Sequence, residues 1–265
     1  AAIPTLTYEG FLENHRRHYR PDNAYIILYG NLDADRFLGF LDERYLAPLA
    51  AKERGPLDIN PLGLQAPVAP APVVVPMATA PENACAAVGF VIGRAAERER
   101  IVAADILMDA IMGANESPLK RALLDAGIAD DAIGYVADSV AQPFAVVSLR
   151  GARPGAAERL RAIVAARRLA EGGLDRELVR AALSHAEFVM RERNFGYPDG
   201  VVLAMSAMAG WLYSDDDPAA YLRFEDVFAS LREKVEEGYF EALLRELFLD
   251  NDHRACAEVV PTESD

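Results

Sequence analysis

Residues 135–149, Tyr-Val-Ala-Asp-Ser-Val-Ala-Gln-Pro-Phe-Ala-Val-Val-Ser-Leu, decide the fold class. They contain two runs with strand-like composition, 135–140 and 144–149, and the few residues between the runs leave room only for a hairpin. A hairpin is an antiparallel pair of strands. Because helical patterns lie on both sides of it, the predicted fold class is α+β, with a mixed or antiparallel sheet covered by helices.

The elements next to this hairpin follow from local patterns. Residues 84–92 and 254–260 predict two further strands. Residues 97–112 carry apolar side chains at helical spacing, which predicts a helix. A second helix is expected to begin at Ser117, whose hydroxyl would cap the first turn, with Pro118 at the first helical position.

The second half of the sequence is mostly helical in pattern. Asp175 is expected to cap one long helix, since its short carboxylate can accept from an unpaired amide of the first turn. Pro198 and Pro218 predict two further helix starts, because proline is well suited to the first turn.

The first fifty residues predict two helices with a strand between them. Thr7 is expected to cap a helix over residues 8–19, and Asp33 or Asp35 a second helix ending near Pro48. Residues 25–29, Tyr-Ile-Ile-Leu-Tyr, form a continuous apolar run that predicts a strand buried on both faces.

Prolines suggest how the chain is divided. Between Gly55 and Pro76 they recur often enough to favour extended backbone, while the apolar residues among them favour lying along a surface. We therefore expect an ordered crossing, residues 51–76, between two units, residues 1–50 and 77–265.

Composition excludes several classes of partner. With 27 basic and 41 acidic residues the formal net charge is −14, which repels phosphate backbones and anionic lipids, so nucleic acid is not expected as a partner. The apolar runs are far shorter than the roughly 18 residues of a membrane span, so a membrane is not expected either. Residues 1–20 show no secretion signal, which favours a cytoplasmic location.

The four histidines argue against a catalytic metal centre in this chain. A helical zinc-peptidase motif places two histidines one turn apart with a glutamate beside one of them, so that both imidazoles reach one metal. His15 and His18 are three residues apart, and neither His185 nor His253 has a neighbouring histidine or an adjacent glutamate. The expectation is therefore no catalytic residue, no metal ligand and no cofactor in this chain.

One group of side chains is a candidate for contact with peptides. Met205, Met208 and Trp211 recur at helical spacing and Tyr213 follows them. Such an apolar cluster is consistent either with a peptide-binding surface or with an ordinary core stripe.

Several segments together resemble the presequence-protease branch of the pitrilysin family, which consists of inverted-zincin peptidases. These segments occur in the family's order along nearly the whole chain, and that order is more specific than any one of them. They are residues 15–25, 28–33 and 115–123, then Glu187-Phe188, Arg191-Glu192, 196–198, 211–213, Asp217-Pro218 and Phe224-Glu225, and finally 239–241, 251–254 and Pro261.

The resemblance implies a parent enzyme with two halves, each made of two similar α+β domains that enclose unfolded peptides in a chamber. The family's zinc motif lies early in its first domain, and the resemblance implies that this sequence begins after it. Residues 1–50 would then be the tail of the preceding, zinc-bearing domain, 51–76 the proline-rich connecting segment, and 77–265 the non-catalytic α+β domain. Zinc would then belong to the parent, and this chain would be a non-catalytic part of the chamber wall that contacts the remaining domains and the peptide.

Two alternatives concern partners. The natural protein could instead be a non-catalytic scaffold or binding subunit of a peptidase complex, which the coding sequence upstream of Ala1 would decide. Separately, residues 25–29 would lack strand neighbours in a truncated domain, so residues 1–50 are expected either to pack on another copy or to lie in an altered place.

Overall fold

The computed structural model of the protein describes residues 3–50, 63–164, 174–193, 196–214 and 217–263. The chain divides into two units, Ala1–Gln65 and Ala66–Asp265. Residues 51–62, which form much of the predicted connecting segment, lie outside the described residues. The division into residues 1–50, 51–76 and 77–265 therefore stays a proposal.

The first unit contains the predicted helices. Helix α1, Tyr8–His18, begins where the Thr7 hydroxyl accepts a hydrogen bond from the Gly10 amide, as expected. Helix α2, Ala34–Leu41, is capped by Asp33 and continues through a π turn, Asp42–Leu46, into the short helix α3, Ala47–Ala50. The helical path thus passes Pro48, because the wider turn before it starts a new helical segment in whose first turn proline is tolerated.

The predicted strand at residues 25–29 is wrong. In the described part of the chain these residues join no sheet, and their side chains are 36% to 55% exposed instead of buried on both faces. A strand is stable only when a neighbouring strand completes its backbone hydrogen bonds. All five paired strands of the described residues lie between Val73 and Thr262.

The second unit is built on a five-stranded sheet with the order β1-β5-β2-β4-β3. The strands are β1 Val73–Ala78, β2 Cys85–Val91, β3 Asp131–Ala137, β4 Phe144–Arg150 and β5 Arg254–Thr262. Strand β1 runs parallel to β5, and every other pair is antiparallel. The mixed sheet confirms the predicted fold class, although β1 begins inside the segment that was expected only to connect.

Seven further α-helices belong to the described part of this unit. They are α4 Arg98–Met112, α5 Pro118–Asp125, α6 Ala156–Val164, α7 Arg176–Glu192, α8 Asp199–Trp211, α9 Glu225–Glu236 and α10 Tyr239–Leu244. Of these, α4, α5 and α6 pack on the sheet. Nine of the fifteen residues of α4 are buried, because this helix packs against β3 on one side and α7 on another. It is the central helix of the unit.

Burial alternates along the middle strand β2. In β2 the side chains of Ala86, Val88 and Phe90 are buried, whereas the intervening residues remain partly exposed. Successive side chains of a strand point to opposite faces, so the helices cover one face of the sheet more completely than the other. Strands β1 and β3 form the two edges, and the apolar side chains Val73 and Val74 of β1 are more than half exposed.

Two buried carboxylates connect neighbouring secondary-structure elements. Glu258 of β5 accepts hydrogen bonds from the amides of Gly155 (2.9 Å) and Ala157 (3.0 Å), at the start of α6. Glu187 of α7 accepts two from the Arg191 guanidinium and contacts Arg232 of α9. Each carboxylate therefore holds one helix against a neighbouring element.

Three local predictions differ in detail from the structure. Strand β3 begins and ends earlier than expected, because its pairing with β4 extends back to Asp131 opposite Arg150. The Ser117 hydroxyl accepts from the Ala114 amide (3.1 Å) in the preceding loop and caps no turn of α5. After Pro218 the chain makes only one 3₁₀ turn, Ala220–Leu222, which is held against α8. The Asp175 cap is confirmed, at 2.9 Å from the Glu177 amide.

Candidate functional site

A groove of about 920 Å³ lies in the second unit. It is bordered by α4, α7, α8 and the edge strand β3. Most of its wall is apolar, formed by Ile101, Val102, Ile106, Val189, Met190, Val201, Val202, Met205, Phe224, Val227 and Phe228. Concave apolar surfaces with a few polar groups are typical of binding sites.

Two carboxylates on α4 face this groove. Asp105 and Asp109 are four residues apart, so they lie on the same side of the helix one turn from each other. A third carboxylate, Asp138, comes from the turn that follows β3. Helix α4 and the hairpin thus bring three acidic side chains to one apolar groove.

The carboxylate of Asp105 is the most perturbed of the three. It is open to water through the groove, yet protein atoms surround it closely. Burial, with the like charges of Asp138 and Asp109 as smaller causes, raises the pKa of Asp105 to about 6. Ionisation of Asp105 therefore costs more free energy in the folded protein than it does in water.

His185 of α7 lies beside the second carboxylate. Its Nδ1 is 3.4 Å from Oδ2 of Asp109, and both side chains are substantially exposed. The two form an ion pair only when the imidazole is protonated, and exposed pairs of this kind contribute little to stability.

The aromatic side chain of Tyr221 also lines the groove. The Tyr221 hydroxyl donates a hydrogen bond to the Ala95 carbonyl, and the Arg98 guanidinium lies 5.4 Å from the Tyr221 ring centre. Burial first, and then the charge of Asp138, raises the pKa of Tyr221 to about 12. A Cβ at Gly210 would lie 2.5 Å from the Tyr221 ring, so only glycine lets α8 approach this closely.

Asp105→Asn is expected to raise the free energy of unfolding by about 1 kcal/mol near neutral pH. The pKa of Asp105 is about 6 in the folded protein, above the ordinary value of 3.8. Ionisation of Asp105 therefore lowers the free energy of unfolding by the full amount above about pH 6 and has no effect well below pH 3.8. The gain should therefore disappear as the pH falls towards about 4. Urea unfolding at both pH values measures it.

The control for this change is Asp125→Asn, which removes an exposed carboxylate of α5 that faces Arg121. It should alter stability by no more than about 0.5 kcal/mol at either pH. Destabilisation by Asp105→Asn near neutral pH would contradict the electrostatic account of the groove.

The fold brings only some of the residues predicted for peptide contact to the groove. Met205 lines the groove and is 65% exposed. Met208 and Trp211 lie on the same helix but outside the groove lining, and the Tyr213 hydroxyl reaches the Ser139 carbonyl at 3.5 Å. Their role in peptide contact therefore stays a proposal, for which Met205 has the most suitable position.

Sequence reasoning missed the acidic residues and His185 as a group. The available signal was the pair Asp105 and Asp109, two carboxylates one turn apart in a helix whose other residues are largely apolar. Asp138 and His185 join them only through tertiary packing, for which one sequence carries no spacing rule.

The described residues show neither a metal-binding cluster nor a helix suited to a membrane. They contain no group of three or more His, Cys, Asp or Glu side chains arranged to hold a metal ion. Within the same residues, no helix combines the length and the apolar character needed to cross a bilayer.

The sequence matches the family model Peptidase M16 inactive domain over residues 5–184. Protein HypA of Clostridium perfringens is 32% identical, in an alignment covering 98% of this chain and 27% of that protein. Presequence protease 1, chloroplastic/mitochondrial, of Arabidopsis thaliana is 28% identical, in an alignment covering 98% of this chain and 25% of that protein. The chain thus spans about a quarter of the length of these curated relatives.

Solved structures with low sequence identity share the fold. A protease from Helicobacter pylori superposes with a TM-score of 0.73 over 98% of this chain and 60% of that one, at 16% identity. The peptidase M16 inactive domain from Pseudomonas fluorescens superposes with a TM-score of 0.64 over 99% of this chain and 59% of that one, at 15% identity.

Proposed function

Because the chain belongs to the M16 peptidase family and matches its inactive domain, we propose that it is a non-catalytic wall of a chamber in which a longer zinc metallopeptidase degrades unfolded peptides. The observation that carries this proposal is the apolar groove beside the open edge strand β3. Zinc, in this proposal, is held by other parts of the longer protein.

The groove and the edge strand suit an extended peptide. Strand β3 is the last strand of the sheet, so one side of its backbone has no neighbouring strand within the described residues. An extended chain can pair with such an edge while its side chains enter adjacent pockets. Gly134, Tyr135 and Val136 of β3 border the groove, which places the edge and the apolar wall side by side.

Exposed apolar surface elsewhere supports a role within a larger assembly. Residues 25–29 of the first unit and strand β1 of the second expose large apolar side chains. Surfaces of this kind favour contact with another protein surface. We propose that the remaining domains of the parent, or a second copy in the case of residues 1–50, cover them.

Peptide binding tests the proposal directly. The chain should bind a labelled unstructured peptide, measured by fluorescence anisotropy, and Ser206→Trp should weaken binding about 10-fold because the indole would fill the groove that Ser206 lines. Arg121→Trp on the exposed face of α5 is the matched control and should bind like the unchanged chain.

Mass spectrometry of the same mixtures tests catalysis. No cleavage is expected from this chain with zinc or with chelator, and zinc-dependent cleavage by it would refute the non-catalytic role. Unchanged affinity in Ser206→Trp would refute the groove as the binding surface.

The alternative is a scaffold or binding subunit of a peptidase complex. Peptide binding by the groove fits both proposals, so the product of the gene extended upstream of Ala1 discriminates between them. Cleavage by that product, lost with chelator, supports the peptidase, and binding without cleavage supports the scaffold.

A further inference from the structure

We propose that a second pocket, of about 450 Å³, binds a carboxylate carried on an apolar body, and that the guanidinium groups of Arg161 and Arg254 receive the carboxylate. This arginine pocket lies between helix α6 and the beginning of strand β5. Within the described residues, no side chain lines both the arginine pocket and the peptide groove. The inference therefore goes beyond the proposed function and does not depend on it.

The packing of α6 on β5 brings the two arginines to one place. The Glu258 carboxylate accepts from the Ala157 amide, and Sγ of Cys256 lies 3.5 Å from the Ala157 carbonyl oxygen. Alternate side chains of a strand share a face, so Arg254 of β5 points to the side on which α6 packs. Arg161 comes one helical turn after Ala157 and lines the same pocket.

Neither guanidinium is neutralised by the described part of the chain. Arg161 forms no hydrogen bond or ion pair there, although it lies close enough to the sheet for its charge to oppose the effect of burial, which raises the pKa of the Cys256 thiol. Arg254 donates one hydrogen bond, to the Asn251 carbonyl, which orients its guanidinium and leaves further N–H donors available. Glu158 lines the pocket too, but it is paired with neither arginine within the described residues.

Other arginines of the unit bind carboxylates of the chain, as Arg153 binds Asp130 and Arg180 binds Glu236. At a net charge of −14 the chain has carboxylates in excess. Two neighbouring guanidiniums that use none of them can accept a carboxylate from outside the chain. The planar guanidinium is well matched to this group, since it can donate two parallel hydrogen bonds to the two oxygens.

The inner wall of the pocket is apolar and accounts for the body of the ligand. The rings of Phe90 and Phe248 pack edge to face with their centres 5.1 Å apart, and Leu249 lines the pocket with them. An aromatic or aliphatic group would gain by covering this wall and leaving water. Two sources share this chemistry, namely a peptide end with an apolar last residue and a free organic acid.

Two probes that differ in charge test the inference. N-acetylphenylalanine carries a carboxylate beside an aromatic ring, and N-acetylphenylalaninamide has the same ring without the charge. Titrations followed by ligand-observed NMR should show about 10-fold tighter binding of the acid. Long-range attraction cannot produce this preference, because the net charge of −14 repels anions.

Variants identify the side chains that bind. Arg161→Gln and Arg254→Gln should each reduce the preference for the acid to about 3-fold or less, whereas Arg159→Gln, on the same helix but outside the pocket, should keep it. Glu158→Gln should tighten binding of the acid about 3-fold, because it removes a like charge from the pocket. Damage to the fold would not produce such a gain.

Peptides distinguish the two sources. Two peptides of identical sequence that end in phenylalanine, one with a free and one with an amidated C-terminus, are compared on the Ser206→Trp chain, in which binding to the groove is suppressed. A preference for the free end assigns the pocket to peptide ends. Equal binding of the two peptides, together with the preference for the small acid, assigns it to free organic acids, and either result supports the carboxylate site.

Three results would overturn the inference: no binding of either small probe, equal binding of acid and amide, or a preference that both arginine variants keep. The proposed function fails by a different result. Ser206→Trp should leave binding of the acid unchanged, since Ser206 lines only the groove. Failure of peptide binding in the groove and failure of the carboxylate site are therefore observed separately.

Discussion

Glu258→Ala is expected to lower the free energy of unfolding by about 3 kcal/mol. The carboxylate is only 4% exposed and accepts two backbone hydrogen bonds, from Gly155 and Ala157. Hydrogen bonds to a charged acceptor are stronger than neutral ones, and their loss leaves the buried amide of Ala157 without this acceptor. The negative charge also sits at the positive end of α6, so its removal weakens the attachment of this helix to the sheet.

Urea unfolding of the chain measures this effect. Glu258→Gln keeps one acceptor oxygen and should show roughly half of the loss, whereas Glu263→Ala, exposed just beyond the same strand, should change stability by less than about 0.5 kcal/mol. A Glu258→Ala protein as stable as the parent chain would show that this contact does not anchor α6.

Glu187→Ala is expected to cost about 2 kcal/mol. Glu187 is 7% exposed and is held by Arg191, at 2.9 and 2.7 Å, and by Arg232 of α9. Removing one partner of a buried ion pair is usually more costly, but both arginines are about half exposed and water can solvate them once the carboxylate is gone. The expected loss is reduced accordingly.

Hydrogen exchange gives this prediction a local readout. Arg191 also lies 5.7 Å from the ring centre of Phe224, a residue of the groove wall, so the amides of α9 and of the groove rim should exchange faster in the variant. Glu192→Ala, exposed at the end of α7, is the matched control. Equal protection of α9 in both variants would argue against a clamp between α7 and α9.

Sequence patterns correctly predicted the parts of the fold that depend on residues close together in the sequence. Helix α4 was expected over residues 97–112 and extends from Arg98 to Met112, because its apolar spacing and its burial have the same period. Thr7 and Asp175 cap their helices as expected, since a cap needs only an amide two or three residues away.

The sequence predictions that were wrong concern features that depend on contacts with other parts of the chain. Residues 25–29 have the composition of a buried strand, but composition cannot supply the neighbouring strand that pairing requires. Ser117 begins a helix as predicted, although its hydroxyl bonds to Ala114, because the loop before it turns back and offers another donor.

The candidate site was less accessible to sequence reasoning than the fold. Met205 was proposed for peptide contact and lies on the groove, whereas its companions Met208 and Trp211 do not line it. Asp105, Asp138 and His185 come from three different elements, so their proximity depends on how α4, α7 and the hairpin pack together.

Strand β5 has a consequence for biosynthesis. Of the five described strands it is the last to leave the ribosome, yet it occupies the position between β1 and β2. Until it emerges, β1 has no partner in the described sheet and one side of β2 is open. Assembly of the sheet therefore waits for translation of nearly the whole unit, and nascent chains that stall before Arg254 should expose aggregation-prone strands to chaperones.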